Sequence, residues 1–175
     1  MDRRKIGQSS TGKTMTQHGR GQTRADAPVL QHRYGLTVPE GAEILTLHGC
    51  LPVEYLCSGD RIITRDGARS LAAVQSAVLR DAVFARVALG SIGHDRPDAA
   101  LHLPPDQPLL IRDWRAQALF GVRMALVPAS RLVDGSFIRL ERLARQRMYR
   151  LHFADPVVIY AGGLELGCLT ERVAA

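Results

Sequence analysis

Hydrophobic residues come in short runs that are separated by turn residues along most of the chain. Apolar, β-prone runs occupy residues 43–47, 61–65, 109–112 and 157–161, and residues 148–153 alternate strictly between apolar and polar side chains. A period of two, bounded by Gly, Pro and Asp, is typical of β-strands. Many such runs, with no long segment of helical periodicity, predict an all-β domain.

The same pattern predicts the smaller elements. Strands are expected at 71–79 and 83–89, separated by Arg80 and Asp81, and the pair Asp66-Gly67 predicts a hairpin turn after 61–65. One turn of helix or a bend is expected at 52–56, and brief helical turns are expected at 115–120 and 130–133. His102 and His152 alternate with apolar residues of predicted strands, so we expect both side chains to point to solvent.

The first 33 residues have a different composition from the rest. They are rich in Gln, Ser, Thr, Gly and Arg, and their few apolar residues are isolated, which predicts a disordered tail over 1–33 and a folded domain over 34–175. The formal net charge of the chain is +6. The tail has seven basic and two acidic side chains, a net charge of +5, so the remaining residues carry +1. The mixed charge of the folded part argues against a nucleic-acid partner.

Two tests concern location and metal chemistry. No apolar run reaches the ~18 residues of a membrane span, and no apolar segment of a signal peptide follows residues 1–5, so we expect no membrane association and, by default, a cytoplasmic protein. Secretion by a route without such a signal stays open. Cys50, Cys57 and Cys168 form neither a disulfide framework nor the tight spacing of a zinc site. We predict no cofactor and no metal, and a role for these cysteines stays open.

One motif is set aside because its surroundings do not fit. Residues 7–14 match the phosphate-binding pattern G-x-x-x-x-G-K-[ST]. That loop works only between a buried strand and a helix whose first amides hold the phosphates. Six residues precede Gly7, and the polar residues after Thr14 supply no apolar helical face. We therefore predict that this segment binds no nucleotide.

A set of segments in a fixed order identifies a family resemblance. It begins with Gly41-Ala42-Glu43-Ile44-Leu45-Thr46, continues with Val53-Glu54 and Leu56, and reaches Gly59-Asp60-Arg61-Ile62-Ile63-Thr64. With later segments at 103–111, 114–116, 119–121, 126–129, 132–135 and 149–161, this order resembles the hedgehog/intein (Hint) domain family, in particular a bacterial subclass of it. The resemblance covers about residues 35–170 and implies a compact, horseshoe-like all-β fold.

The resemblance also implies a chemistry. Active relatives cleave or splice their own backbone: a Cys, Ser or Thr at the first position attacks the preceding carbonyl, and a Thr-x-x-His block polarises the scissile peptide. Counting back from Gly41 places the first position at Thr37. The segment that matches the Thr-x-x-His block runs from Pro104 to Gln107, so proline replaces the hydroxyl residue and glutamine replaces the histidine. Pro156 likewise stands where the subclass often has histidine.

These departures change the functional expectation. With the scaffold kept and the catalytic block altered, the resemblance implies a catalytically degenerate domain that acts as a binding or assembly module beside an unknown protein partner. Thr37 and Gln107 are the candidate site residues, and we expect them to lie within several ångströms of each other. The alternative is a self-processing domain that cleaves before Thr37 by an N-to-O acyl shift. No residue identifies the partner or the oligomeric state.

Overall fold

The computed structural model describes residues 34–93 and 96–170, and strands make up most of this part of the chain. The strands are β1 Tyr34–Pro39, β2 Glu43–Thr46, β3 Gly49–Pro52, β4 Arg61–Thr64, β5 Gly67–Ser70, β6 Ala73–Val87, β7 Leu101–Leu103, β8 Pro108–Ile111, β9 Ala125–Pro128, β10 Ile138–Phe153, β11 Val158–Ala161, β12 Leu164–Gly167 and β13 Leu169–Thr170. One helix, α1, spans Trp114–Phe120, and 3₁₀ turns span Val53–Tyr55 and Ala129–Leu132. The predicted tail and the motif at 7–14 lie outside the described residues.

The strands form two antiparallel sheets around one core. The first sheet has the order β13-β1-β10-β6-β7, and the second has the order β3-β2-β4-β11-β12-β8-β9 with β5 on β4. Buried side chains of both sheets join in a single hydrophobic cluster, which includes Leu36, Val38 and Leu151 from the first and Ile62, Ile159 and Leu166 from the second. The predicted all-β fold class is confirmed.

The longest strands depart from the sequence prediction. Residues 71–79 and 83–89 were expected as two strands, but β6 runs without a break from Ala73 to Val87 and pairs with β10, which is one residue longer. Arg80 and Asp81 do not end the strand, because the ladder to β10 continues on both sides of them. Asp81 takes a positive φ of 48°, a local distortion that the flanking pairs hold in place.

A buried carboxylate ties the ends of three strands in the second sheet. Glu165 of β12 accepts hydrogen bonds from Arg65, at 2.7 Å, and from Arg112. Arg65 follows β4 and Arg112 follows β8, so the two cations meet at one anion from opposite sides of β12. The hydrogen bond to Glu165 raises the pKa of Arg65 above its ordinary value, and this guanidinium stays charged.

Among the described residues, the structure has no helix of the length and apolar character that a membrane crossing requires.

Candidate functional site

Thr37 lies near the middle of β1, which runs between β10 and β13. Its cross-strand partner on β10 is Arg150, and its neighbours Leu36 and Val38 are buried in the core. This alternation turns the partly buried Thr37 side chain to the face of the sheet opposite the core. Thr37 thereby reaches a cavity instead of the apolar cluster.

Gln107 reaches Thr37 from the loop between β7 and β8. Pro104 and Pro105 follow β7 directly, and the Gln107 N–H donates to the carbonyl of Pro104 at 3.0 Å to close a turn. The Gln107 side chain is 1 % exposed, and its Oε1 accepts the N–H of Thr37 at 2.9 Å. A residue 70 positions away in sequence is thus bonded to the backbone of the candidate first position.

The other end of the same amide is also fully engaged. Gln107 Nε2 donates to the carbonyl of Gly167 at 2.7 Å and to that of Pro108 at 3.2 Å. An amide rotated by 180° would set its NH₂ against the Thr37 N–H and its oxygen against two carbonyls, so only one orientation satisfies all three backbone groups. Gln107 therefore stands as a fixed hydrogen-bond acceptor in front of the Thr37 nitrogen.

A cavity of about 640 Å³ opens beside this pair. Such a volume falls within the range of about 300–1,000 Å³ that is typical of ligand sites. The residues that line the cavity are Thr37, Gln75, Ser76, Ala77, Leu79, Pro104, Asp106, Gln107, Met148, Arg150 and Leu169. One wall of the cavity is the face of the first sheet, where the strand register places Thr37 of β1, Arg150 of β10 and Gln75 of β6 side by side.

The structure brings together the two residues singled out from the sequence. The hydrogen bond between Thr37 and Gln107 places them within the distance expected, while their catalytic roles stay predictions. Pro104 lines the same cavity, but the exposed Pro156 is not part of its lining. The sequence did not predict that Arg150 and Asp106 line this cavity. The only available signal was the charge of each residue in an otherwise apolar or proline-rich stretch.

The two strand histidines take different environments. His102 Nε2 lies 3.0 Å from Glu141 Oε2 at the surface of the first sheet. His152 was expected to point to solvent, and this was wrong, because its side chain is buried. Leu151 and Phe153 are buried as well, so the end of β10 is covered on both faces and its alternation no longer separates core from solvent.

None of the three cysteines is among the residues that line this cavity. Cys50 and Cys57 are exposed, Cys168 is partly buried, and none of the three forms a disulfide within the described part of the chain. Within residues 34–93 and 96–170, no three His, Cys, Asp or Glu side chains converge in a way that could hold a metal ion.

Comparison with known proteins adds an independent line of evidence. The family model described as "Hint domain" matches residues 37–172. The solution structure of a bacterial intein-like domain from Clostridium thermocellum is similar with a TM-score of 0.54 and 14% identity, and the match covers 75% of this chain and 97% of that one. The crystal structure of the gp41-1 intein is similar with a TM-score of 0.50 and 9% identity, over 75% and 97% of the two chains.

A comparison with curated protein sequences found no significant match. At these identities the structural matches establish the fold, and the family model, which begins at Thr37 and extends through the last described strand, establishes the membership. The chain belongs to the Hint domain family.

Proposed function

We propose that this Hint domain no longer cleaves its backbone and acts as a binding or assembly module for a partner protein. The single observation that carries the proposal is the hydrogen bonding of the Gln107 side chain. Its amide accepts the Thr37 N–H and donates to the carbonyls of Pro108 and Gly167.

The chemistry of cleavage explains why this matters. In an N-to-O acyl shift, Thr37 Oγ1 would lose its proton and bond to the Leu36 carbonyl carbon, while the C–N bond breaks and the Thr37 nitrogen gains a proton. A histidine can give and take protons near neutral pH, whereas an amide cannot. Gln107 presents an oxygen to the nitrogen that must be protonated, and both hydrogens on its Nε2 are engaged by carbonyls.

The peptide before Thr37 also sits in ordinary strand structure. Leu36 is fully buried and pairs with Leu151 of β10, and Thr37 pairs with Arg150. The Leu36 carbonyl is thus part of a regular strand, and cleavage there would separate a core side chain from the rest of β1. Both features support a domain that has kept the scaffold for binding.

The test is the intact mass of the 19.2 kDa chain after incubation with dithiothreitol or hydroxylamine. Hydroxylamine cuts both the oxygen ester that Thr37 would form and a thioester, whereas dithiothreitol cuts mainly a thioester, so hydroxylamine decides for wild type. Hydroxylamine has no Asn–Gly background here because the sequence contains no asparagine. We expect wild type to stay intact. Release of a fragment that begins at Thr37 would contradict the proposal and establish the self-processing alternative.

A set of restored variants shows whether Gln107 is the obstacle. Thr37→Cys alone supplies a stronger nucleophile but keeps the amide, so we expect no cleavage. Thr37→Cys combined with Pro104→Thr and Gln107→His should give thiol-dependent cleavage before position 37. Cleavage of the single variant at the rate of the combined one would show that the amide does not block the reaction.

A further inference from the structure

Strand β6 leaves one edge unpaired over most of its length. β10 pairs with one edge of it from Ala73 to Val87, whereas β7 covers the other edge only between Ala85 and Val87. Of the strands within 34–93 and 96–170, none pairs with that second edge at residues 73–84. Proteins usually shorten or block so long an edge, because its free N–H and C=O groups recruit further strands.

A pair of prolines produces this gap. Strand β7 ends at Leu103, and neither Pro104 nor Pro105 has an N–H with which to extend the ladder along β6. The turn closed between Gln107 and Pro104 then leads the chain away from the edge. The space left between β6 and this turn is the 640 Å³ cavity.

The unpaired edge borders the cavity directly. Gln75, Ser76 and Ala77 all line it, although successive side chains of a strand point to opposite faces. Three consecutive residues can line one cavity only where the cavity meets the edge of the strand. A ligand in the cavity therefore lies within reach of the β6 backbone.

The register shows which backbone groups are available there. The N–H of Glu40 donates to the carbonyl of Arg147 at 3.1 Å, so Arg147 turns its backbone groups toward β1. Because backbone groups alternate between the two edges of a strand, the N–H and C=O groups of Met148 point toward β6, where Met148 pairs with Ala77. Ser76 and Val78 consequently direct their N–H and C=O groups away from β10 and into the gap.

The charge beside this edge is positive. Arg80 and Arg145 lie directly opposite each other on β6 and β10, an unfavourable pairing of like charges, and within the described part of the chain neither forms an ion pair. Arg150 lines the cavity, and the nearby Asp81 lies 3.3 Å from Arg142. Asp106 is the one acidic residue in the cavity lining that the structure describes. The edge therefore favours an anionic ligand.

We propose that the edge of β6 around Ser76 and Val78 binds an extended, acidic segment of a partner protein as an added strand. Main-chain hydrogen bonds to β6 would hold the segment, and an apolar side chain would enter the cavity between Leu79 and Met148. The inference rests on the proposed binding role, but its test measures peptide binding and is independent of backbone cleavage.

The experiment uses a displayed library of random twelve-residue peptides, selected on the whole chain. Enriched peptides are synthesised with a fluorescent label and measured by fluorescence anisotropy. We expect alternating apolar and acidic residues, at least tenfold weaker binding to Ser76→Pro and Val78→Pro, and less than a twofold change for Ser76→Ala, which keeps the N–H. Exchange of the acidic residues of the peptide for lysine should also weaken binding at least tenfold.

Several results would overturn the proposal. Peptides that bind both proline variants as tightly as wild type do not use this edge, and a failure to enrich any peptide removes the site. Displacement by a synthetic peptide of residues 1–33 would assign the edge to the chain's own N-terminal segment. A dimer that Ser76→Pro dissociates would assign it to a second copy. If the proline variants do not fold, hydrogen exchange of the Ser76 and Val78 backbone amides in wild type is measured instead. We expect saturating peptide to slow this exchange at least tenfold, and an unchanged rate would contradict the proposal.

Discussion

At the scale of single residues, Gln107 unites three segments that are far apart in sequence. Its side chain bonds the N–H of Thr37 in β1 and the carbonyls of Pro108 in β8 and Gly167 in β12. A buried polar group stabilises only when its partners are present, and removing it exposes each of them to a desolvation penalty. Gln107 is thus a link between the two sheets, because β1 belongs to the first sheet and β8 and β12 belong to the second.

Replacement of this side chain should therefore be costly. Gln107→Leu leaves three buried backbone groups without their partner, at about 1–3 kcal/mol each, so we expect at least about 3 kcal/mol of lost stability. Urea denaturation monitored by circular dichroism measures it. Asp106→Ala, next in sequence but exposed, is the matched control and should change stability by less than about 0.5 kcal/mol. Equal midpoints for the two variants would refute the stabilising role of the amide.

The site illustrates what the sequence can and cannot predict. The proximity of Thr37 and Gln107 was predicted by counting along segments that resemble the family, because the order of the short strands determines which loops meet. The contact with Gly167 was not predictable, since hydrogen-bond partners 60 residues apart depend on packing. His152 was misjudged because alternation reveals which residues share a face but not how many faces are covered.

At the scale of elements, Asp134 organises the turn that leads into β10. Its Oδ1 accepts the N–H groups of Ser136, Phe137 and Ile138 at 2.8–3.0 Å. Burial alone would raise the pKa of this carboxyl, but the three N–H donors outweigh it and hold the pKa below the ordinary value of 3.8. The ionised side chain thus stabilises the start of the longest strand.

A pH dependence with a definite sign follows from this. Because the folded-state pKa is depressed, the contribution of Asp134 is complete above the unfolded pKa and is lost as the pH falls through the folded value. Asp134→Ala should be less stable than wild type at pH 6, and the difference should shrink toward pH 2. Denaturation midpoints across this range measure it, with exposed Asp155→Ala as control. A difference that grows on acidification would contradict the assigned hydrogen bonds.

The long strands show where element prediction fails and why. Sequence patterns located β2, β4, β8 and β11, whose apolar runs are bounded by turn residues. β6 was divided at Arg80 and Asp81, because these charges imitate a break, and only the ladder to β10 shows that the strand continues. The partner strand β10, more than 50 residues away in sequence, supplies the hydrogen bonds, so local propensity is overridden.

At the scale of the whole molecule, the two sheets share one core. Leu151 of the first sheet and Ile159 of the second are both fully buried in the same hydrophobic cluster. Each sheet therefore buries its apolar side chains against the other sheet. Gln107 adds hydrogen bonds between the two sheets. The described part of the chain from β1 to β13 should consequently unfold as one cooperative unit.

Hydrogen exchange tests this cooperativity from opposite sides. Leu151→Ala and Ile159→Ala each remove a buried side chain and should lower stability by about 2–5 kcal/mol. The slowest amides of a cooperative unit exchange only by global unfolding. Either variant should therefore raise the exchange rate of the slowest amides of β6, in the first sheet, and of β12, in the second, by the same factor. Leu47→Ala, at a side chain that is 56% exposed, serves as control and should leave both rates close to wild type. Acceleration confined to the sheet that carries the substitution would mean that each sheet opens separately, and the shared core would then not couple them.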